Sequence, residues 1–181
     1  MAEGALHLEV DESASPSIMP PLRVPLALKE RLKQELARLE KANVIKKEKE
    51  PTDWVSSLVA TEKPNGKLGV CIDPQHLNKA LKRSHYLLPV IEDILPDLAD
   101  VKVFSKADLK DGFFQIQVDQ ESSKLLTFQS PWGRYRYLRI PFGIFPAPEC
   151  LLDQNLEGLE GIYKVADDIL ITSRGTRKKK P

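Results

Sequence analysis

Asp167 and Asp168 stand together between two short apolar runs, Ile162 to Val165 and Ile169 to Ile171, the pattern of a tight β-hairpin with two carboxylates at its tip. Adjacent carboxylates repel and raise each other's pKa unless a cation neutralises them, so such a tip points to a divalent metal site. A third carboxylate, Asp108, ends the run Phe104-Ser105-Lys106-Ala107, where an apolar strand meets an acidic residue just ahead of the Gly112 turn. Three carboxylates are hard oxygen donors of the kind Mg²⁺ takes, with water and substrate phosphates completing its octahedron. Neither the His residues nor Cys71 and Cys150 cluster around these positions. By itself an Asp pair in a turn is more often an ordinary solvated feature, and a generic two-carboxylate metal enzyme such as a phosphatase also fits it. The motifs around the pair separate these readings.

At 181 residues, 41% hydrophobic and 29% charged, the chain can bury one core with tails. The formal net charge of +1 means that any nucleic-acid contact must come from local patches, not from the field of the whole molecule. Two cysteines with neither metal spacing nor a disulfide framework suit a reducing intracellular compartment. No signal peptide and no run long enough to span a bilayer is visible.

The elements that must position the carboxylates can be read in order. Residues 1–25, with Glu3, Glu9, Asp11, Glu12 and the prolines at 16, 20, 21 and 25, read as a flexible leader. Leu28, Leu32, Leu36 and Leu39 fall at helical spacing, with Asn43 as a left-handed stop. After a turn at 50–53, residues 54–61 predict a strand, Lys63 to Lys67 a hairpin turn, and 68–72 its partner. Asp73-Pro74 predicts an N-cap and first helical residue, opening a short helix to Leu81. Pro89, Glu92 and Asp93 predict a second helix, burying Ile91, Ile94, Leu95 and Leu98 and kinked at Pro96. Residues 101–107 predict a buried strand, 125–129 and 135–139 two strands joined by a turn, and 147–157 a helix before the Asp-Asp hairpin. This order predicts an α+β fold with an antiparallel sheet and packed helices.

Taken together, the landmarks from Pro21 to Thr172 resemble the reverse-transcriptase region of the Pol polyprotein of gypsy-class long-terminal-repeat retrotransposons. Trp54-Val55-Ser56-Ser57, Lys63-Pro64-Asn65-Gly66-Lys67, Val70-Cys71-Ile72-Asp73-Pro74 and Leu77-Asn78-Lys79 look like that family's fingers. His85 to Pro89 and Ile91 to Leu95 look like its passage into the palm. Phe104 to Asp108 with Gly112-Phe113 matches its first catalytic motif, and Val165-Ala166-Asp167-Asp168 its second. Between them lie Gly133 to Tyr137, Pro141-Phe142-Gly143 and Ala147-Pro148-Glu149. The resemblance implies fingers at 26–90, a partial palm at 91–172 and a basic tail at 173–181.

It also implies roles. Asp108, Asp167 and Asp168 would hold two Mg²⁺ ions, with Mn²⁺ as the alternative, for nucleotidyl transfer to a primer 3′-hydroxyl. Lys63 would grip the triphosphate, and Phe113 would lie beneath the incoming sugar and exclude a 2′-hydroxyl. Phe142 and Gly143 would border nucleotide and template, and Arg134, Arg136 and Arg139 would reach backbone phosphates. The implied partners are an RNA or DNA template with its primer, deoxynucleoside triphosphates and other Pol domains, in cytoplasm or nucleus and with no membrane.

The sequence departs from that pattern in several places. Gly69 stands where the family has an arginine on the triphosphate, a loss on the order of 2 kcal/mol in the transition state. Val165 replaces a common tyrosine, Phe145-Pro146 replaces small polar residues, and residues 150–161 run about three residues short, nearly one helical turn. After Ser173 the resemblance gives way to Arg174-Gly175-Thr176-Arg177-Lys178-Lys179-Lys180-Pro181, without thumb, connection or RNase H. The resemblance therefore predicts an RNA-directed DNA polymerase domain fragment, weak or inactive as this chain. The alternatives are a non-catalytic, retroelement-derived protein that binds nucleic acid or a Pol partner, and an expressed relic that does not fold stably.

Overall fold

The computed structural model describes residues 5–62, 66, 68–82, 94–108, 112–144, 159–165 and 168–173. They divide between two compact units, one of Gly4–Arg83 with Phe113–Phe145, the other chiefly of Ser84–Gly112 with Pro146–Pro181.

The first unit begins with α1, Leu26–Lys41. Its leucines at i, i+4 and i+7 put Leu32, Leu36 and Leu39 in the core, and Arg38 and Lys41 occupy the last turn, where the helix dipole favours cations. Asn43 at φ 53 reverses the chain, as the sequence predicts. β1 (Ile45–Glu48), β2 (Ser56–Glu62), β3 (Leu68–Asp73), β5 (Thr127–Ser130) and β6 (Gly133–Tyr137) form one sheet in the order β1-β6-β5-β2-β3. All neighbours are antiparallel except β2 and β5, which run parallel through Ser56↔Phe128 and Ser57↔Gln129.

Phe128, Tyr135 and Tyr137 fill the sheet's centre, with Phe128 at 5.9 Å from Tyr135 and 5.2 Å from Tyr137 between ring centroids. Tyr137 is fully buried, its hydroxyl donates to the Val70 carbonyl at 3.3 Å, and burial pushes its pKa up.

The sequence reading missed β1 and a helix. Residues 125–129 do not all extend: α3 (Gln120–Leu125) intervenes, capped by Asp119, which accepts from the Ser122 N–H at 2.7 Å. Asp followed three residues later by a small polar residue was the available signal. α2 (Gln75–Ala80) starts one residue later than predicted. Pro74 is its cap residue, and Asp73 accepts from the Gln75 N–H at 3.3 Å.

The segment read as a leader also differs. Leu6 pairs with Val118, Val10 with Leu81 and Ile18 with Val55, and Leu8 is buried. Alternating apolar residues at 6, 8 and 10 give this strap an inward face, which composition averaged over 25 residues conceals.

In the second unit, β4 (Val103–Asp108), β8 (Asp168–Ser173) and β7 (Ile162–Val165) form an antiparallel sheet in the order β4-β8-β7. β7 and β8 close as a hairpin at Val165↔Asp168. At its other end the backbone turns at Gly161, φ 75, where an added Cβ would stand 3.1 Å from the Thr172 carbonyl oxygen. Gly161 thus lets Thr172 approach, its N–H donating to the Gly161 carbonyl at 2.7 Å.

Two predictions of burial do not hold. Phe104 in β4 is 52% exposed, and Leu95 lies 55% exposed in a 3₁₀ turn, Leu95–Leu98, where Pro96 cannot continue an α-helical ladder. The start of that predicted helix and the helix predicted over 147–157 lie outside the described residues. Among the described residues no helix is long and apolar enough to cross a membrane.

Candidate active site

The register of the second unit places two of the three predicted aspartates opposite one another. β4 and β8 pair continuously from Val103↔Ser173 to Asp108↔Asp168, so the two aspartates are direct cross-strand partners at the ends of their strands. Opposed residues of an antiparallel pair share a sheet face, with Cβ atoms roughly 4.5–5.5 Å apart. A donor set of carboxylates alone is of the kind that fits Mg²⁺. Asp167, between β7 and β8 in the sequence, lies outside the described residues. Among the described residues no three His, Cys, Asp or Glu side chains converge as a metal cluster.

The first unit gathers the predicted nucleotide-side residues. Phe113 lies in a 3₁₀ turn, Gly112–Gln115, and meets Phe142 edge to face, with centroids 5.3 Å apart and planes at 84°. Phe142 is 60% exposed, which leaves the pair open on one side. Gly143 follows at φ 97, a conformation side-chain-bearing residues rarely adopt, and an added Cβ would lie 3.6 Å from the Pro74 ring. Its carbonyl accepts from Asn78 Nδ2 at 2.7 Å, so α2 holds the Phe142-Gly143 turn.

Lys63 lies outside the described residues, and the described residues that flank it in sequence, Glu62 and Gly66, are held from α1. Arg31 donates from both terminal nitrogens to Glu62 Oε1 at 3.0 Å and from Nη2 to the Gly66 carbonyl at 2.6 Å. Sequence reasoning missed both Arg31 and Asn78. Their partners lie 31, 35 and 65 residues away, beyond any local signal.

The three arginines divide. Arg134 Nε donates to Gln129 Oε1 at 3.2 Å across the β5–β6 pair. Arg136 is internal: its side chain is 12% exposed, its Nε stands 2.9 Å from an 8% exposed Glu48 carboxylate, and its Nη1 donates to Ser123 Oγ at 2.9 Å. That Nε is at ion-pair distance without meeting hydrogen-bond geometry, so the contact is mainly Coulombic. The Glu48 carboxyl is held below its ordinary pKa, first by the Glu50 N–H, then, against burial, by the Lys49 N–H and Arg136. Arg139 donates from Nη1 to the carbonyls of Phe114 at 2.9 Å and Gln115 at 3.4 Å.

Residues 61–180 match the family described as reverse transcriptase (RNA-dependent DNA polymerase). Among curated proteins, the chain is 35% identical over 176 residues to the uncharacterized protein K02A2.6 of Caenorhabditis elegans, covering 92% of this chain and 14% of that protein. It is 31% identical over 160 residues to the retrovirus-related Pol polyprotein from transposon 412 of Drosophila melanogaster, covering 82% and 13%. To the enzymatic polyprotein of cauliflower mosaic virus, strain Strasbourg, it is 31% identical over 152 residues, covering 80% and 22%. The chain therefore spans a small part of each of these relatives. The prototype foamy virus protease-reverse transcriptase superposes with a TM-score of 0.80 over 93% of this chain and 23% of that one, at 18% identity. The foamy viral enzyme solved with an RNA/DNA hybrid gives 0.75 over 91% and 22%, at 20% identity. The α+β fold is that of reverse-transcriptase fingers and palm. Motif order, strand register and relatives at 30% identity or more across most of its length agree that the chain belongs to the reverse transcriptase (RNA-dependent DNA polymerase) family.

Proposed function

We propose that this chain carries part of the machinery for template-directed addition of deoxynucleotides to a primer 3′-hydroxyl, with release of pyrophosphate, in a gypsy-class retrotransposon Pol protein. The opposition of Asp108 and Asp168 across β4–β8 carries the reading. With Asp167, these residues would hold two Mg²⁺ or Mn²⁺ ions, which supply activation of the attacking hydroxyl and charge neutralisation at the triphosphate. Lys63, which follows the Arg31-bound Glu62 in sequence, would bind the triphosphate. Phe113 would lie under the sugar, and Phe142 and Gly143 would border base and template. Of the arginines, Arg134 fits a backbone phosphate contact best, since Arg136 and Arg139 are engaged internally.

Extension of a DNA primer on an RNA template, with Mg²⁺ or Mn²⁺, tests the reading. Extension by the parent chain that disappears in Asp108→Asn and Asp168→Asn is expected. Extension unchanged in both variants would overturn it.

One observation favours a second reading, a non-catalytic protein that binds nucleic acid or a Pol partner. Gly69, opposite Thr61 in the β2–β3 ladder, offers no guanidinium where a triphosphate contact belongs. Salt-sensitive binding of an RNA/DNA hybrid without extension would select it.

A further inference from the structure

We infer that Arg139 is a positioning residue that sets Phe113 against Phe142, and so sets the discrimination between deoxyribose and ribose, and is not a contact to nucleic-acid phosphate. This rests on the nucleotide site proposed above. The 3₁₀ turn Gly112–Gln115 is a single turn, so its own helical ladder does not continue to donate N–H groups to its last carbonyls. The Phe113 carbonyl is taken by the Ile116 N–H at 3.2 Å. The next two, of Phe114 and Gln115, are met by Arg139 Nη1 at 2.9 and 3.4 Å. A charged donor on a backbone carbonyl is among the stronger hydrogen bonds available to a half-buried turn.

The backbone beside the turn is fixed without Arg139. The Ile140 N–H donates to the Ile116 carbonyl at 3.0 Å and the Val118 N–H to the Leu138 carbonyl at 3.1 Å, so the two segments stay paired when the guanidinium is removed. What Arg139 adds is control of the turn that carries Phe113. Phe142 follows on Arg139's own strand connection, just after the buried Ile140 and Pro141, and its turn is held through the Gly143 carbonyl by Asn78. One side chain therefore ties the carrier of one ring to the segment that bears the other. Both contacts leave from one nitrogen, Nη1, which the planar guanidinium holds in place.

The test uses the full chain labelled with fluorophenylalanine, with the Phe113 and Phe142 signals assigned by Phe113→Leu and Phe142→Leu. In Arg139→Met, the Phe113 fluorine resonance is expected to move toward its position in Phe142→Leu, and Arg139→Lys to give a smaller shift in the same direction. The preference for dATP over ATP, measured by equilibrium binding, is expected to fall by about tenfold in Arg139→Met. The slope of log affinity against log salt for an RNA/DNA hybrid is expected to stay unchanged. A Phe113 resonance unmoved in both variants overturns the inference, as does a salt slope smaller by about one unit, the mark of a lost phosphate contact. If Arg139→Met does not fold, the lysine variant decides alone, by the same resonance and the same slope. Equal binding of dATP and ATP by the parent chain would instead overturn the proposed nucleotide site, while the resonance would still decide what Arg139 holds.

Discussion

Asp108 stands directly across the β4–β8 ladder from Asp168, and both end their strands there. Like charges directly opposed cost a sheet about 0.2–1 kcal/mol, and a bound cation reverses the sign. In EDTA, Asp108→Asn is therefore expected to be more stable than the parent chain by about 0.5 kcal/mol. With millimolar Mg²⁺ the order should invert, because only the parent gains binding energy. Thermal melts of both proteins with and without Mg²⁺ decide this. An equal Mg²⁺ effect on both would remove the pair as the metal site.

Glu48 and Arg136 lie diagonally across the β1–β6 ladder, two positions out of register, and their largely buried side chains meet at 2.9 Å. Glu48→Ala leaves a buried guanidinium unpaired and is expected to cost about 3 kcal/mol. Arg136→Met combined with Glu48→Leu should recover most of that loss, because apolar residues of similar volume can replace a buried pair. Urea unfolding of the single and double variants measures both. If Arg136 instead served as a phosphate contact, its loss would leave stability nearly unchanged and weaken hydrogen-bonded nucleic-acid binding.

The parts of the fold that were legible are those written in local periodicity. The leucine spacing of α1, the Lys63–Lys67 hairpin and the Asp-Asp hairpin each carry their own signal within a few residues, and each of their described strands or helices is present. The pairing of Asp108 with Asp168 could only be anticipated as a convergence, because register is set by side-chain alternation along two distant strands. The roles of Asn78, Arg31 and Arg139 were not legible at all. Each acts on a backbone carbonyl that any sequence would possess, and only the fold says which carbonyl is near. The strap at residues 5–19 was missed for the opposite reason, a composition typical of disorder outweighing three well-spaced apolar residues.

Gly69 gives a gain-of-function prediction. If the chain binds nucleotides as proposed, Gly69→Arg should tighten deoxynucleoside triphosphate binding tenfold or more, on the order of 2 kcal/mol for a bidentate phosphate contact. Binding of the diphosphate should improve less than that of the triphosphate. Equal affinity in parent and variant would argue that the β2–β3 hairpin does not face the triphosphate.

Gly143 and Asn78 make the turn beside Phe142 sensitive to small changes. Gly143→Ala must place a side-chain-bearing residue at φ 97, and its Cβ would meet Pro74 only at ordinary contact distance, so the cost is conformational, about 1–2 kcal/mol. Asn78→Ala removes the donor to the Gly143 carbonyl and should cost about 1 kcal/mol. Because the two changes act on one turn, the double variant should lose less than the sum. Additive losses in a double-mutant cycle would show the two contacts to be independent.

His7 and Asp119 predict a pH dependence at the strap. His7 Nδ1 lies 2.6 Å from Asp119 Oδ2, and around this pair the Leu6 N–H donates to the Gln117 carbonyl at 2.8 Å and the Leu8 N–H to Ser122 Oγ at 2.7 Å. The Asp119 hydrogen bond and its charge raise the His7 pKa above the ordinary 6.5, with Glu121 and Glu9 adding to them against slight desolvation. Glu9 itself pairs with Lys82 at 3.4 Å, which leaves Asp119 the principal partner. Burial pushes Asp119 up, but the Ser122 N–H and His7 outweigh it and leave the carboxyl below 3.8. A group raised on folding stabilises fully below its unfolded pKa and loses that contribution as pH rises through the folded value; a lowered carboxyl does so in the acid direction. The strap is therefore held best between the two, and loosens as pH climbs above His7's raised value. Protection factors at the Leu6 and Leu8 amides should fall as pH rises above 6.5 and through His7's raised value, and stay flat over that rise in His7→Asn. The same fall in His7→Asn as in the parent chain would place the pH dependence elsewhere.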